Sequence, residues 1–430
     1  MGSANSNSPS ILPQISKKLA IRTFCLVVVV GSLLYGLLWF LKYRSDLDML
    51  VSSDTAGWVA AVEYLPEGHQ AVLISPDGVI HRDLGYKSHS TDRDLAWSPK
   101  GNFLYFISDR SEHNFNLYRW SPKLEKPAEQ RTTGTRARSN PTFSVQPTDE
   151  RDGEAKSLIT CGGLVQQFDP ANTSTEQVLP PTTKEITQTQ GDENEKGGID
   201  SQFQGVYGRL GTSFRVAQWC GNKRYIAGIM RRENGEVLIL QDMQPESGKL
   251  PQPKAIASAE HIDLAVNPKD GNVVYTIQNF QWPDVPPTDP NGNPTPKPFM
   301  NAVAIYDLEK GQSTLITKSD KVAFGSPAIK PDGSSLVLVI GKIENGGLTP
   351  TMVANFPTTR DPGFKQFKVP GDVHEPSWSP DGNHLLLAIR DTRGKRTIYD
   401  LRIDDGTMRA VTGDGDFGFP VFSPQVKSSG

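Results

Sequence analysis

Three acids and an amide recur at one place in a repeated motif, and they are the residues best placed for chemistry. Each lies three positions before an aromatic or branched anchor residue: Trp97, Phe143, Trp219, Val266, Ile329, Trp378 or Phe422. The positions so defined hold Asp94, Asn140, Val216, Asp263, Ser326, Glu375 and Phe419. Carboxylates and an amide gathered in one ring suit a cation, a basic peptide or a lysine side chain, because all of them accept hydrogen bonds. The same residue types also cap loops or simply stay solvated. His261 and His374 stand close before Asp263 and Glu375. Together these would make a metal site, but the seven histidines (His69, His81, His89, His113, His261, His374, His384) are scattered, and they read as polar loop residues. Asp414-Gly-Asp416 resembles a fragment of a calcium loop without the remaining ligands.

Other chemistries lack their residues. A serine hydrolase needs a nucleophile elbow of the G-x-S-x-G kind, and the chain has none; H-E-x-x-H and P-loop patterns are also missing. Of the three cysteines, Cys25 lies in an apolar run, while Cys161 and Cys220 fall at strand ends on opposite faces, so no disulfide is expected. Net charge is −3, and the three arginines of Arg131–Arg138 have no aromatic residues between them, which argues against nucleic acid as a partner. No catalytic residue, metal or cofactor is assigned.

The elements that position the ring are repeats. Leu95-Ala-Trp-Ser-Pro-Lys-Gly-Asn-Phe-Leu-Tyr-Phe-Ile107 matches Pro376-Ser-Trp-Ser-Pro-Asp-Gly-Asn-His-Leu-Leu-Leu-Ala388. Weaker copies occur at Pro141–Ser144, Trp219–Ile226, Leu264–Gly271, Pro327–Gly333 and Pro420–Pro424. The anchor ends a short strand, and Pro-Asp-Gly makes a tight turn in which Pro presets φ and Gly takes the positive φ. An apolar strand follows, such as Leu336–Ile340, then a third strand such as Ala304–Asp307 or Thr397–Asp400, then a short fourth. Four strands per repeat make one propeller blade.

The Pro-x-Trp-Ser-Pro-Asp-Gly frame, followed by an apolar strand and Ile-Tyr-Asp, resembles the WD40-like repeats of TolB-type propellers over about residues 57–424. The resemblance implies an all-β fold, a seven-bladed β-propeller. Function does not follow from it, because such repeats serve binding proteins and also the propeller domains of prolyl-oligopeptidase-like enzymes. The motif Phe419–Pro424 has no strands after it, and Gly57–Leu84 has three strands with no motif before them. Joining the two closes the ring; the other blades start near Asp92, Ser139, Arg215, His261, Gly325 and His374, with six or eight blades as alternatives.

Loops of a propeller alternate between two faces. One face here carries the Pro-Asp-Gly turns and short links. The other carries the inserts Pro181–Thr212 and Phe280–Met300, the latter with Trp282 among its prolines. Elaborated loops on a rigid scaffold are where binding usually lives. We therefore expect a protein or peptide partner on the elaborated face, at Asp94, Asn140, Asp263, Glu375, His261, His374 and Trp282. A lyase or hydrolase at the channel mouth is the alternative.

Ahead of the repeats, Phe24–Leu41 has no charge, and at about 1.5 Å per residue it spans roughly 27 Å, close to a bilayer's hydrocarbon thickness. Trp39, Phe40 and Tyr43 suit an interfacial belt. The run lacks the small-residue site of a cleaved signal peptide, its rival reading. The sequence thus predicts a disordered tail (1–22), a single transmembrane helix (23–41), a tether (42–56), the propeller (57–424) and a short C-terminal tail (425–430). Lys17, Lys18 and Arg22 against Lys42 and Arg44 lean toward N-terminus in, with the propeller extracytoplasmic. The short tether predicts that the plain face looks toward the membrane and the partner-binding face away from it.

Overall fold

A computed structural model describes residue 32 and residues 55–424, apart from 80, 86–88, 112–113, 122–126, 147–154, 181–212, 234, 247–249, 282–298, 345–346 and 359–363. The expected transmembrane run (apart from Ser32), Trp282 and the bulk of both inserts lie outside the described residues. Among the described residues no helix is long and apolar enough to cross a membrane. The chain divides after Ser53, and the second unit is the propeller.

Among the described residues, seven four-stranded antiparallel sheets form the blades. Six follow the chain, with first strands Asp92–Trp97 (blade 2), Arg138–Thr142 (blade 3), Ser213–Cys220 (blade 4), His261–Val266 (blade 5), Val322–Ile329 (blade 6) and Asp372–Trp378 (blade 7). Blade 1 is composite: Phe417–Phe422 from the chain's end is followed outward by Val59–Leu65, Gly68–Ile74 and His81–Asp83 from its beginning. The seam is stitched at both ends. Tyr64 N–H donates to the Asp416 carbonyl (2.8 Å) and Ser423 N–H to the Trp58 carbonyl (2.9 Å). The hydroxyls of Thr55 and Ser423 also meet, at 2.7 Å.

The continuous apolar runs of the second strands follow from burial on both faces. In Leu385–Ile389, Leu385, Leu387 and Ile389 pack with Val337, Val339 and Val353 of blade 6. Leu386 faces the other way, into a cluster with Val59, Ala61, Val72, Ile74 and Phe417 of blade 1. Leu336–Ile340 splits likewise: Leu336, Leu338 and Ile340 meet Val274 and Val303 of blade 5, and Val337 and Val339 meet blade 7. The core is therefore a set of layers between blades.

The motif residues each have a mechanical role. Trp97 donates its indole N–H back to the Val421 carbonyl of blade 1 (3.4 Å), and Trp378 to the Ala328 carbonyl of blade 6 (3.0 Å). After Trp97 and Trp378 a serine closes the turn. Ser379 Oγ accepts from His384 N–H (3.0 Å), the Ser379 carbonyl from Gly382 N–H (2.9 Å), and Gly382 has φ +70°. Ser98, Phe103 and Gly101 repeat the arrangement in blade 2.

A second set of contacts clips neighbouring blades together at five of the junctions on the elaborated face, at the level where first strands begin. Asn116 Oδ1 accepts from Arg138 Nη1 (2.8 Å), Glu236 Oε2 from Ile262 N–H (2.9 Å), and Asn301 Nδ2 donates to the Val322 carbonyl (3.1 Å). Arg396 grips Asp416 through Nε (2.9 Å) and Nη2 (3.0 Å). Asp92 Oδ2 accepts from Ala71 N–H (2.9 Å) and from Arg110 Nη2 (2.6 Å), joining blades 1 and 2.

Candidate functional site

The ring three residues before the anchors sits where most of the first strands bulge. Ladder register shifts across Arg93/Ala96, Ser139/Thr142, Gly325/Ala328 and His374/Ser377, and between Gly418 and Val421 in blade 1. Five ring residues there have left-handed backbones: Asp94 (φ +53°), Asn140 (+50°), Ser326 (+47°), Glu375 (+54°) and Phe419 (+52°). Asp and Asn tolerate that region, but for Phe it is a real outlier, and such residues cluster at functional sites. Val216 departs because a β-branched residue disfavours positive φ, and its strand shifts register between Phe214 and Val216 instead. Asp263 sits in an unbroken ladder, opposite Thr276.

A bulge takes the ring residue's N–H out of its own ladder, and a half-buried N–H needs an acceptor. The acid of the preceding blade supplies it. Asp94 Oδ2 accepts from Asn140 N–H (3.1 Å), Asp263 Oδ2 from Ser326 N–H (3.1 Å) and Glu375 Oε2 from Phe419 N–H (2.5 Å). Asn140 passes the chain on, donating Nδ2 to the Arg215 carbonyl (2.7 Å). The three acids and the amide are thus brought to one ring, and each also fastens its blade to the next.

Between blades 3 and 6 the ring opens into a cavity of about 350 Å³, lined by Asn140, Arg215, Val216, Ile229, Asp263, Leu264, Ser326 and Pro327. Sequence reasoning missed Arg215. Its Nε and Nη2 bind Glu236 at 2.8 and 3.0 Å, Nη2 also donates to the Ile262 carbonyl, and it lies 3.4 Å from Asp263 Oδ1. His261 joins this network, with Nδ1 3.3 Å from Glu236 and Nε2 3.3 Å from Asp263. The hydrogen bond to Asp263 raises the His261 pKa above 6.5 despite partial burial. Burial alone would raise Asp263, but His261, the Ser326 N–H and Arg215 together hold it below the usual carboxylate range.

Across the mouth, blades 7, 1 and 2 give a different surface. Phe419 is 37% exposed. Burial pushes the Glu375 carboxyl up to about 7, with Asp94 adding to the rise and the Phe419 N–H and Arg396 opposing it. Burial likewise raises Asp94. Arg396 lies 3.5 Å over the Tyr64 ring, and burial raises that phenol to about 12. His374 is exposed, and partial desolvation lowers its pKa. His261 and His374 therefore belong to separate clusters. Among the described residues no group of three or more His, Cys, Asp and Glu is arranged to hold a metal, and Cys161 and Cys220 are buried and not joined in a disulfide.

The Glu375 shift gives a pH prediction. Its folded value lies above its unfolded value near 4.5, so its contribution is fully present below about 4.5 and lost as pH rises through about 7. Glu375→Gln keeps an oxygen for the Phe419 N–H and removes the titration. Its stability relative to the parent, measured by urea unfolding, should rise between these pH values and then level off; a flat difference would contradict the shift.

No protein-family model matches the chain, and no curated protein matches it. Solved structures do. It is similar to oligogalacturonate lyase from Vibrio parahaemolyticus, with 13% identity, covering 86% of this chain and 92% of that one at a TM-score of 0.52. A prolyl endopeptidase structure matches with 11% identity over 85% of this chain and 49% of that one, at 0.51. TolB from Acinetobacter baumannii matches with 14% identity over 87% of this chain and 68% of that one, at 0.45. At these identities the likeness is one of fold.

Proposed function

We propose that this chain is a membrane-anchored, extracytoplasmic propeller that binds a protein or peptide partner on its elaborated face, in envelope assembly, sensing or scaffolding. The observation that carries the reading is the cavity walled by ring residues of four successive blades, Asn140, Val216, Asp263 and Ser326. It has the volume of a ligand pocket and mixes apolar lining residues with a few placed polar groups. Its polar groups are already fixed by neighbouring blades, which favours recognition because little ordering is left to be lost on binding. Anchoring rests on the charge-free run Phe24–Leu41, and sidedness on the flanking cations.

A photo-reactive residue at Phe419, on the mouth, and another at Val79, 77% exposed on the turn face, test it in intact membranes. A discrete adduct from Phe419 and none from Val79 is expected. Equal capture from both positions, or none from either, would overturn the reading.

One observation favours an enzyme, lyase or hydrolase, as the second reading. A carboxyl near pH 7, at Glu375, lies within the field of Arg396 and Asp94, and a general acid or base is most effective with a pKa near the working pH. Turnover of oligosaccharide or peptide pools that disappears in Glu375→Gln, with capture absent, would favour it over partner binding.

A further inference from the structure

We infer that the cavity between blades 3 and 6 receives a primary ammonium group on an alkyl stem, the side chain of a lysine presented by the partner. This rests on the partner-binding reading and names the chemistry recognised.

The argument begins with Asn140. Its Nδ2 donates to the Arg215 carbonyl, which fixes the amide's orientation and leaves Oδ1 as an acceptor. Asp263 is held ionised, and its oxygens have lone pairs beyond those used by Ser326 N–H, Arg215 and His261. Ser326 adds a hydroxyl that accepts as readily as it donates. These three line one cavity whose remaining walls include Val216, Ile229, Leu264 and Pro327. An ammonium has three donors and no acceptor, and its stem is apolar. Donor count and stem both match.

Arg215 also lines the cavity and would repel a cation. Its charge is offset, because Glu236 takes it through two hydrogen bonds, at 2.8 and 3.0 Å. Among the described lining residues Asp263 is the one carboxylate. A guanidinium is a poorer fit: it is planar and forked, whereas an ammonium places its donors tetrahedrally around a compact charge.

The test uses the purified full chain in nanodiscs, with N-acetyl-lysine N-methylamide as probe and the norleucine analogue as a control of equal stem without the charge. Saturation-transfer NMR should show the lysine probe binding at least ~10-fold more tightly, the scale of one charge-assisted hydrogen bond. Asp263→Asn retains an oxygen for the Ser326 N–H and so the fold. It should weaken the lysine probe by about tenfold and leave the norleucine probe unchanged. Ser326→Asp suits the left-handed backbone, adds a carboxylate, and should tighten lysine binding. Equal affinity for the two probes, or indifference to both substitutions, would overturn the inference. The two levels separate in the crosslinking assay. Undiminished partner capture by the Asp263→Asn chain sinks the ammonium site and spares the partner; lysine binding without any partner capture does the reverse.

Discussion

Replacing Asp92 by Ala is expected to cost about 3–5 kcal/mol, the range for breaking a buried ion pair by removing one partner. Asp92 is 1% exposed and Arg110 7%, and Arg110 Nη2 lies 2.6 Å from Asp92 Oδ2. Without the carboxylate, a guanidinium stays buried against the Phe106 and Tyr118 rings, 4.9 and 5.2 Å from their centroids. Its bonds to Ser108 Oγ and to the Leu84 and Gly85 carbonyls are neutral and do not replace the lost charge. The same substitution orphans Ala71 N–H, so the damage falls on the seam between blades 1 and 2. Urea denaturation of the parent and variant gives the difference. Asp92→Asn should lose less, since an amide oxygen still accepts from Ala71. The double change Asp92→Leu with Arg110→Met should recover much of the loss, because a packed apolar pair removes the stranded charge. A single-mutant loss under about 1 kcal/mol would show the pair to be an ordinary surface contact.

Removing residues 415–430 should have a larger effect, abolishing cooperative unfolding of the propeller. The deleted segment contains the inner strand of blade 1, whose partners run from Val59↔Phe422 to Glu63↔Phe417. It also contains Phe417, fully buried among Val59, Ile74, Leu386 and Ile398. Without it, Val59–Leu65 becomes an unpaired edge, the kind of edge that recruits strands from other molecules. Size-exclusion chromatography and thermal unfolding should show association and a broad, low transition. A synthetic peptide covering residues 413–424 should restore monomer and transition by adding the strand back. A truncated chain that remained monomeric with the parent's transition would contradict the closure.

The blades were legible because their determinants are local. Ser379, Pro380, Asp381 and Gly382 make a turn within a few residues, and Leu385–Ile389 announces a strand buried on both faces. Closure was legible because Phe419–Pro424 had no strands to follow it. The ring was legible as positions, since one offset from the anchors found Asp94, Asn140, Asp263 and Glu375. Its chemistry was less so. The acceptor roles of these acids depend on backbones that turn left-handed at non-glycine residues, which the residue types do not announce. The contacts of Arg215, Glu236, Arg396 and Asp416 were missed because each acts on a neighbouring strand or blade, with partners 20 to 48 positions away. One signal was available: Asn116, Glu236, Asn301 and Arg396 all stand at the start of a third strand, where aligned repeats show a polar residue ahead of an apolar run.

The composite blade also decides how the molecule carries load. A pull on the chain at residue 55 passes to Val59–Leu65, which is laddered to Gly68–Ile74 on one flank and Phe417–Phe422 on the other. To extract that strand, a pull must shear both ladders together, whereas an edge strand pulled sideways unzips one bond at a time. A hold at residue 55 therefore acts on a strand with two ladders to break and not one.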